Sequence, residues 1–261
     1  MDKQHHNPEY GLGTTPDSPQ EAHATSDANF SSRIAPEKKP PQRTHIYVDV
    51  DGVLADFVEG VGNHFEKEYF RSYLELCNRM LFEPEASISL IIPPEAILGI
   101  SLDDMMKSVE SNTKFWETLP KISSGERLLY MVLAVSSLSE GRITWSFLTR
   151  PSPHCETFEE QRSKWLSNFL SDMALFPLTL NNIPINIVPN FAVEFAQNKG
   201  EFAKFQRDNG VIPVLIDDDM SNIESFQKNH GLGILFPSTM NRHVRPSEDN
   251  LMIIFQTLLS L

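Results

Sequence analysis

Cysteine is scarce in this sequence, and its scarcity excludes whole classes of protein. Only 2 of the 261 residues are cysteine, Cys77 and Cys155, and no CxxC pair occurs. A disulfide framework and a zinc site made of cysteine pairs are therefore not expected. Proteins with few cysteines and no such framework are typical of reducing compartments, so we expect a cytoplasmic protein.

Positive charge and long apolar runs are also in short supply. Lysine and arginine total 22 against 35 aspartates and glutamates, which gives a net charge of −13. Binding a polynucleotide needs clustered positive charge, so a polynucleotide partner is not expected, although a local basic pocket could still bind a small phosphate. The apolar run LLYMVLAV at 128–135 is far too short to span a bilayer, so no membrane contact is expected.

The first part of the chain differs from the rest in composition. Residues 1–42 are rich in Pro, Ser, Thr, Asp and His and show almost no apolar periodicity. Such a segment cannot bury enough apolar surface to fold, so we predict a disordered polar tail.

Apolar runs alternate with helical patterns in the remainder. The predicted strands are THIYVDV (44–50), ITWSFLT (143–149), INIVP (185–189), VIPVLIDDD (211–219) and GILF (233–236). Helix-like spacing covers 58–80, and Gly231 is predicted to end the helix that follows the fourth strand. Strands that alternate with helices predict an α/β fold with a Rossmann-like parallel sheet flanked by helices.

Three of the predicted strands end in polar side chains that can do chemistry. These are Asp49 with Asp51, then Thr149, then Asp217 with Asp218. Ligands bind beyond the carboxyl ends of the strands in open parallel sheets, so we expect these side chains to meet. The candidate ligands are all oxygens, which suit Mg²⁺, and a carboxylate beside Mg²⁺ can attack a phosphate ester. The bland alternative is that Asp-x-Asp-Gly is only a calcium-type or surface turn.

The motifs in this order resemble a known superfamily. DVDGVLADF (49–57), FLTRP (147–151), a later lysine and LIDDD (215–219) resemble the four motifs of haloacid dehalogenase-like phosphatases. The chain is closer still to the 5′(3′)-deoxyribonucleotidase family, through DGVLADF, the FW and LP pairs at 115–120, Trp165, and ILF followed by NRH near the end. The resemblance covers about residues 45–243.

The resemblance implies a role for each motif residue. Asp49 would be the nucleophile, Asp51 the general acid and base, Thr149 a hydrogen-bond donor to the phosphoryl group, and Lys199 its counter-charge. The metal site would comprise four residues: Asp49, the backbone carbonyl of Asp51 and Asp217 would bind Mg²⁺, and Asp218 would lie at the ion or just behind its direct ligands. A haloacid dehalogenase-like core would comprise 43–59 and 120–261, with a small helical cap inserted at 60–119.

Several positions leave alternatives open. The third-motif lysine is Lys199 or Lys204, and Lys199 is favoured because it begins a predicted helix. Arg150 follows Thr149 where relatives often carry a small residue, and Arg162 stands where they often place lysine. Both arginines are candidates to bind the substrate phosphate or to form ordinary surface salt bridges. Four residues are candidate substrate contacts in all, namely Phe57, Trp116, Arg150 and Arg162, and the two aromatic ones could instead be core residues.

The leading hypothesis is a Mg²⁺-dependent phosphomonoesterase that hydrolyses a nucleoside monophosphate, with a deoxyribonucleoside favoured, through an aspartyl-phosphate. A sugar phosphate or a polynucleotide 3′-phosphate is the alternative substrate, since the cap would set this choice. A non-catalytic binding module is a third hypothesis, because the fold alone does not fix the function. A homodimer also remains open.

Overall fold

The computed structural model describes residues 43–68, 70–80, 92–174, 179–180, 183–184, 191–238 and 248–261. The predicted tail at 1–42 and the predicted strand at 185–189 lie outside these residues. In the described parts of the chain, the strands are β1 (Arg43–Val48), β2 (Ile143–Thr149), β3 (Thr179–Leu180), β4 (Ile183–Pro184), β5 (Val193–Phe195), β6 (Val211–Asp217) and β7 (Leu232–Leu235). The helices are α1 (Phe57–His64), α2 (Phe70–Met80), α3 (Pro94–Leu98), α4 (Leu102–Ser111), α5 (Ser123–Leu138), α6 (Phe158–Ala174), α7 (Lys199–Asp208), α8 (Met220–Lys228) and α9 (Glu248–Leu259).

A parallel five-stranded sheet forms the centre of the fold. Its strand order is β5-β2-β1-β6-β7, and β3 pairs with β4 in a separate antiparallel ribbon. This confirms the predicted α/β class. The order places β1 between β2 and β6, so the three strands whose ends carry the candidate residues are direct neighbours.

Helices cover both faces of the sheet, and successive side chains of β1 point to opposite faces. Ile46 and Val48 are fully buried in the core that includes α5, α6 and α9. Tyr47, between them, packs into a smaller cluster with α7 and α8. Burial on both faces explains why the central strands read as continuous apolar runs in the sequence.

The helical segment predicted at 58–80 is two helices rather than one. Helix α1 ends at His64, Glu66 takes a left-handed φ of 53°, and α2 begins at Phe70. A Cβ added to Gly62 would lie 2.5 Å from the Cβ of Phe70, so the second helix packs where a side chain would otherwise stand. This close contact favours the break.

The end of α8 also differs from the prediction. The residue with left-handed φ is His230, at 66°, and not Gly231. The aromatic ring of Phe226 fills the space beside Gly231, where an added Cβ would lie 2.3 Å from a ring carbon. Gly231 therefore serves close packing, and the turn falls one residue earlier. In the described residues we find no helix with the length and apolar character needed to cross a membrane.

Candidate active site

The candidate residues do come together at the carboxyl edge of the sheet. Asp49 directly follows β1, Thr149 is the last residue of β2, and Asp217 is the last residue of β6. The backbone of Asp49 is tied to β6 by a hydrogen bond from its N–H to the carbonyl of Ile216, 2.9 Å long. The sheet order therefore brings together residues that lie far apart in the sequence.

Three carboxylates converge at this edge. One oxygen each from Asp49, Asp217 and Asp218 lies within 4.8 Å of the others, and Asp49 and Asp217 are buried. Three ionised carboxylates against the single ammonium of Lys199 would leave an excess of two negative charges. An all-oxygen donor set with this charge fits a hard divalent cation such as Mg²⁺.

Lys199 is the buried counter-charge of the cluster. Its Nζ lies 2.7 Å from Asp49 Oδ1 and 2.6 Å from Asp217 Oδ2, and the residue is only 3% exposed. It is the first residue of α7, whose start is capped by Asn198 through hydrogen bonds from the N–H groups of Gly200 and Glu201. The other candidate, Lys204, is exposed on the same helix. The structure thus places Lys199 beside Asp49.

Crowding of charge in a buried site shifts the pKa values of its members. Burial raises the pKa of Asp49 well above its usual range, the charge of Asp217 raises it further, and Lys199 opposes both. Burial and the charge of Asp217 raise the pKa of Asp218 to about 7. Burial lowers the pKa of Lys199, but the carboxylates of Asp49 and Asp217 outweigh this and leave it raised. Lys199 therefore stays charged at neutral pH.

Asp51 is held by a buried arginine. Arg162 Nη2 donates to Asp51 Oδ1 at 2.6 Å, and the arginine is fully buried. Its guanidinium carbon lies 5.1 Å from the ring centroid of Trp116, 5.3 Å from that of Phe158 and 6.0 Å from that of Trp165. Arg162 is therefore not a surface salt bridge, and the polar group of the site that its side chain contacts is Asp51.

Thr149 and Arg150 follow each other but have different environments. The Thr149 hydroxyl is buried and has no hydrogen-bond partner among the residues that the structure describes. An unsatisfied buried hydroxyl is costly unless a ligand completes it. Arg150 is exposed at the rim and donates to the side-chain oxygen of Asn222 at 3.2 Å.

Asn222 is a site residue that sequence reasoning missed. Its side-chain NH₂ lies 3.2 and 3.1 Å from the two carboxylate oxygens of Asp217, and the backbone N–H of Asp219 adds a third donor to Asp217 at 2.8 Å. Asn222 lies in the first turn of α8, just after LIDDD, and this position is the only signal that the sequence offered. Asp219, the last acid of LIDDD, caps α8 by accepting from the N–H of Ser221.

Gly52 allows the loop after β1 to pass close to Asp218. Its φ of 78° is left-handed, and a Cβ at this position would lie 2.2 Å from a carboxylate oxygen of Asp218. Both observations require glycine here. The loop after β1 therefore makes a tight turn at Gly52, and this turn packs against the acidic cluster.

The two aromatic candidates lie in different surroundings. Phe57 is partly exposed and lines a cavity of about 260 Å³ that also reaches Asp51 and Asp218. Trp116 is 4% exposed and lies in the core, where its ring stacks on Phe57 with centroids 5.7 Å apart and contacts Phe158 edge-on. Of these two, only Phe57 lines the cavity next to the acids.

No protein-family model matches this chain, and no curated protein matches it either. Solved structures do show similarity. A haloacid dehalogenase-like family hydrolase from Xanthomonas campestris is 15% identical over 84% of this chain and 92% of its own, with a TM-score of 0.42. A hydrolase from Streptococcus pneumoniae TIGR4 is 12% identical over 82% of this chain and 99% of its own, with a TM-score of 0.43.

A haloacid dehalogenase family enzyme from Bacteroides thetaiotaomicron, solved with magnesium and inorganic phosphate, is 14% identical. The match covers 76% of this chain and 95% of that one, with a TM-score of 0.36. At identities and TM-scores this low, the similarity by itself assigns this chain neither a family nor an activity.

Proposed function

We propose that this protein is a Mg²⁺-dependent phosphomonoesterase that works through an aspartyl-phosphate and acts on a nucleoside monophosphate, with a deoxyribonucleoside as the favoured form. One observation carries the proposal. The buried carboxylate of Asp49 lies against Lys199 and beside two more carboxylates, at the edge of the sheet where ligands bind.

The first step would be attack by Asp49 on phosphorus. A bond forms between an Asp49 oxygen and phosphorus, the bond from phosphorus to the leaving oxygen breaks, and Asp51 gives that oxygen a proton. Mg²⁺ held by Asp49, the Asp51 carbonyl, Asp217 and Asp218 would supply positive charge that offsets the approaching phosphate. Lys199 would neutralise a second phosphoryl oxygen, and the Thr149 hydroxyl would donate a hydrogen bond to a third.

The second step would release phosphate. Asp51, now ionised, takes a proton from a water molecule as the water oxygen attacks phosphorus. The bond from phosphorus to Asp49 then breaks, which restores the carboxylate and frees inorganic phosphate. The same carboxyl group serves as acid and then as base, so its orientation by Arg162 at 2.6 Å matters in both steps.

The substrate assignment rests on the surroundings of Phe57. Its partly exposed ring lines the cavity beside Asp51, where it would offer a face to a nucleobase. Arg150, at the rim, would contact the phosphate from the solvent side. We further propose that the predicted insert at 60–119, which holds the end of α1 and helices α2 to α4, acts as a cap that excludes water from the reaction.

The test is phosphate release from a panel of monophosphates with Mg²⁺ or with EDTA. We expect hydrolysis of nucleoside monophosphates only with Mg²⁺, and at least about 1,000-fold less activity in Asp49→Asn, which lacks the nucleophile. Asp208→Asn, on the exposed end of α7, is the matched control and should keep full activity.

The panel also separates the rivals. Preference for sugar phosphates or for polynucleotide 3′-phosphates would reject the nucleotide assignment and keep the mechanism. Absence of turnover on every ester would favour a non-catalytic binding module. Full activity in Asp49→Asn would contradict the proposed chemistry.

A further inference from the structure

The cavity beside the acidic cluster carries information about the substrate. It has a volume of about 260 Å³, and its lining includes Asp51, Gly52 and Asp218. Small-molecule sites are typically about 300–1,000 Å³, so this one suits a compact group. Because it opens directly on the proposed reaction centre, it lies where the leaving group of the ester would be.

The side walls of the cavity are largely apolar. They include Phe57 and Val58 from α1, Leu102 and Met105 from α4, and Ile122 just before α5. Leu102 is 56% exposed at the mouth, and Met105 is 1% exposed in the wall. Such side chains offer no hydrogen-bond partners to a polyol, whose hydroxyl groups would lose water without replacement.

The charged residues of the cavity leave a negative balance. Arg71 forms an ion pair with Asp56, so its charge is already neutralised. Asp56 is also occupied as the cap of α1, where it accepts from the N–H of Glu59 at 3.0 Å. Glu95 lines the same cavity, and among the described residues its carboxylate has no hydrogen bond or ion pair.

A second anionic group on the substrate would therefore enter an unfavourable field. Among the described lining residues, Arg71 is the one cation, and Asp56 pairs with it. Glu95 then contributes an uncompensated negative charge that repels anions and attracts cations. The reacting phosphate would balance the charge of the Mg²⁺ proposed for the acidic cluster, so this ion would not offset a second anion.

We propose that this cavity selects the leaving group by charge and polarity. It accepts a compact group that is uncharged or cationic and can pack against the apolar walls, as a nucleobase can against Phe57, and it rejects a group that carries a second phosphate or another anion. This inference rests on the proposed function and narrows its substrate class. It separates a monophosphate from bisphosphates, polyphosphates and polynucleotides, and it makes Glu95 a specificity residue.

Binding of non-hydrolysable analogues tests the inference without relying on turnover. We would measure the Kd of benzylphosphonate, 4-(aminomethyl)benzylphosphonate and 4-carboxybenzylphosphonate by calorimetry, with saturating Mg²⁺. The three share one scaffold and differ only in the charge placed in the cavity. We expect the anionic analogue to bind about tenfold more weakly than the neutral one, and the cationic analogue to bind at least as tightly.

Charge reversal supplies the matched comparison. Glu95→Lys should abolish or invert the preference, while Glu224→Lys, at an exposed position of α8 outside the cavity, should leave it unchanged. Equal binding of the three analogues, no binding of any of them, or the same effect from both variants would overturn the inference. Failure of the proposed function looks different, because the binding preference would persist while no ester is hydrolysed.

Discussion

The contact between Arg162 and Asp51 shows how one buried side chain can set the behaviour of another. Arg162 is fully buried among Trp116, Phe158 and Trp165, and its Nε and Nη1 atoms have no partner in the described part of the chain. Its Nη2 donates to Oδ1 of Asp51, and the other oxygen of that carboxyl group would carry the proton that the proposed first step transfers. We expect this contact to hold Asp51 in one orientation, and the three aromatic rings pack around the guanidinium of Arg162.

Arg162→Gln should lower kcat more than it changes KM. Loss of the 2.6 Å contact frees Asp51 to rotate, and general acid–base catalysis is worth roughly 100-fold or more. Arg162→Lys keeps the charge and should recover part of the rate, although it lacks the planar donor geometry.

Steady-state kinetics on both variants, with thermal melts to confirm folding, check this prediction. A folded Arg162→Gln protein with unchanged kcat and a raised KM would show that the arginine serves binding instead.

At the scale of elements, strand β1 joins the core to the site, and its residue His45 contacts two hydroxyl groups of β2. The ring nitrogens of His45 lie 2.7 Å from the Thr144 hydroxyl and 2.8 Å from the Ser146 hydroxyl. Burial lowers the pKa of His45 to about 4, because the charged imidazolium loses water that these hydroxyls only partly replace. The folded state therefore favours the neutral form of the His45 ring.

Acidification should weaken the fold through His45. Its pKa is about 6.5 in the unfolded chain and about 4 in the folded one, so the unfolded state binds more protons between these values. The contribution of His45 to the free energy of unfolding is therefore fully present above pH 6.5 and is lost as the pH falls toward 4. This loss amounts to about 2 kcal/mol once partial exposure of the ring is allowed for.

Denaturant titrations of wild type and His45→Gln across this range measure the difference. In the variant, the free energy of unfolding should depend less on pH between 6.5 and 4. The same pH dependence in both proteins would contradict the role given to His45.

The elements differ in how far the sequence predicted them, and the reason is physical. Strands β1, β2 and β6 were predictable because burial on both faces demands apolar, β-branched runs, and their polar ends stood out against those runs. The break at Glu66 was not, since it depends on Phe70 packing against Gly62. The local sequence pattern does not predict such a contact.

The candidate site shows the same limit. Its motif residues could be predicted because they end strands whose carboxyl edges must meet. The pairing of Arg162 with Asp51 joins positions 111 residues apart, and nothing in either local sequence indicates it. Glu95 and the cavity walls other than Phe57 could not be predicted either, because they belong to helices whose packing the sequence pattern does not fix.

For the whole molecule, crowded negative charge destabilises the folded state, and the proposed Mg²⁺ would offset part of this effect. The chain carries a net charge of −13, and three of its carboxylates crowd together with one lysine. Burial and Asp217 raise the pKa of Asp218 to about 7, so ionising it in the folded state is unfavourable. Without a cation, the site therefore works against the stability of the fold.

Magnesium should raise the melting temperature, and Asp218→Asn should raise it without magnesium. At pH 8 the variant removes a carboxylate that is ionised at a free-energy cost, which should add about 2–5 °C to the metal-free melting temperature. The variant should also show a smaller rise in melting temperature on addition of Mg²⁺, since a carboxylate of the metal site is lost.

Calorimetry with MgCl₂ against NaCl at equal ionic strength distinguishes specific binding from screening of the net charge. An equal response to the two salts in the wild type would argue against a metal site.

The most direct measurement is to look for the phosphoryl group on Asp49 itself. The protein would be acid-quenched during turnover of p-nitrophenyl phosphate with Mg²⁺, and its peptides mapped by mass spectrometry. The proposed mechanism predicts one phosphoryl group on the peptide that contains Asp49, and none in Asp49→Asn. Turnover that leaves this peptide unmodified and persists in Asp49→Asn would contradict the account.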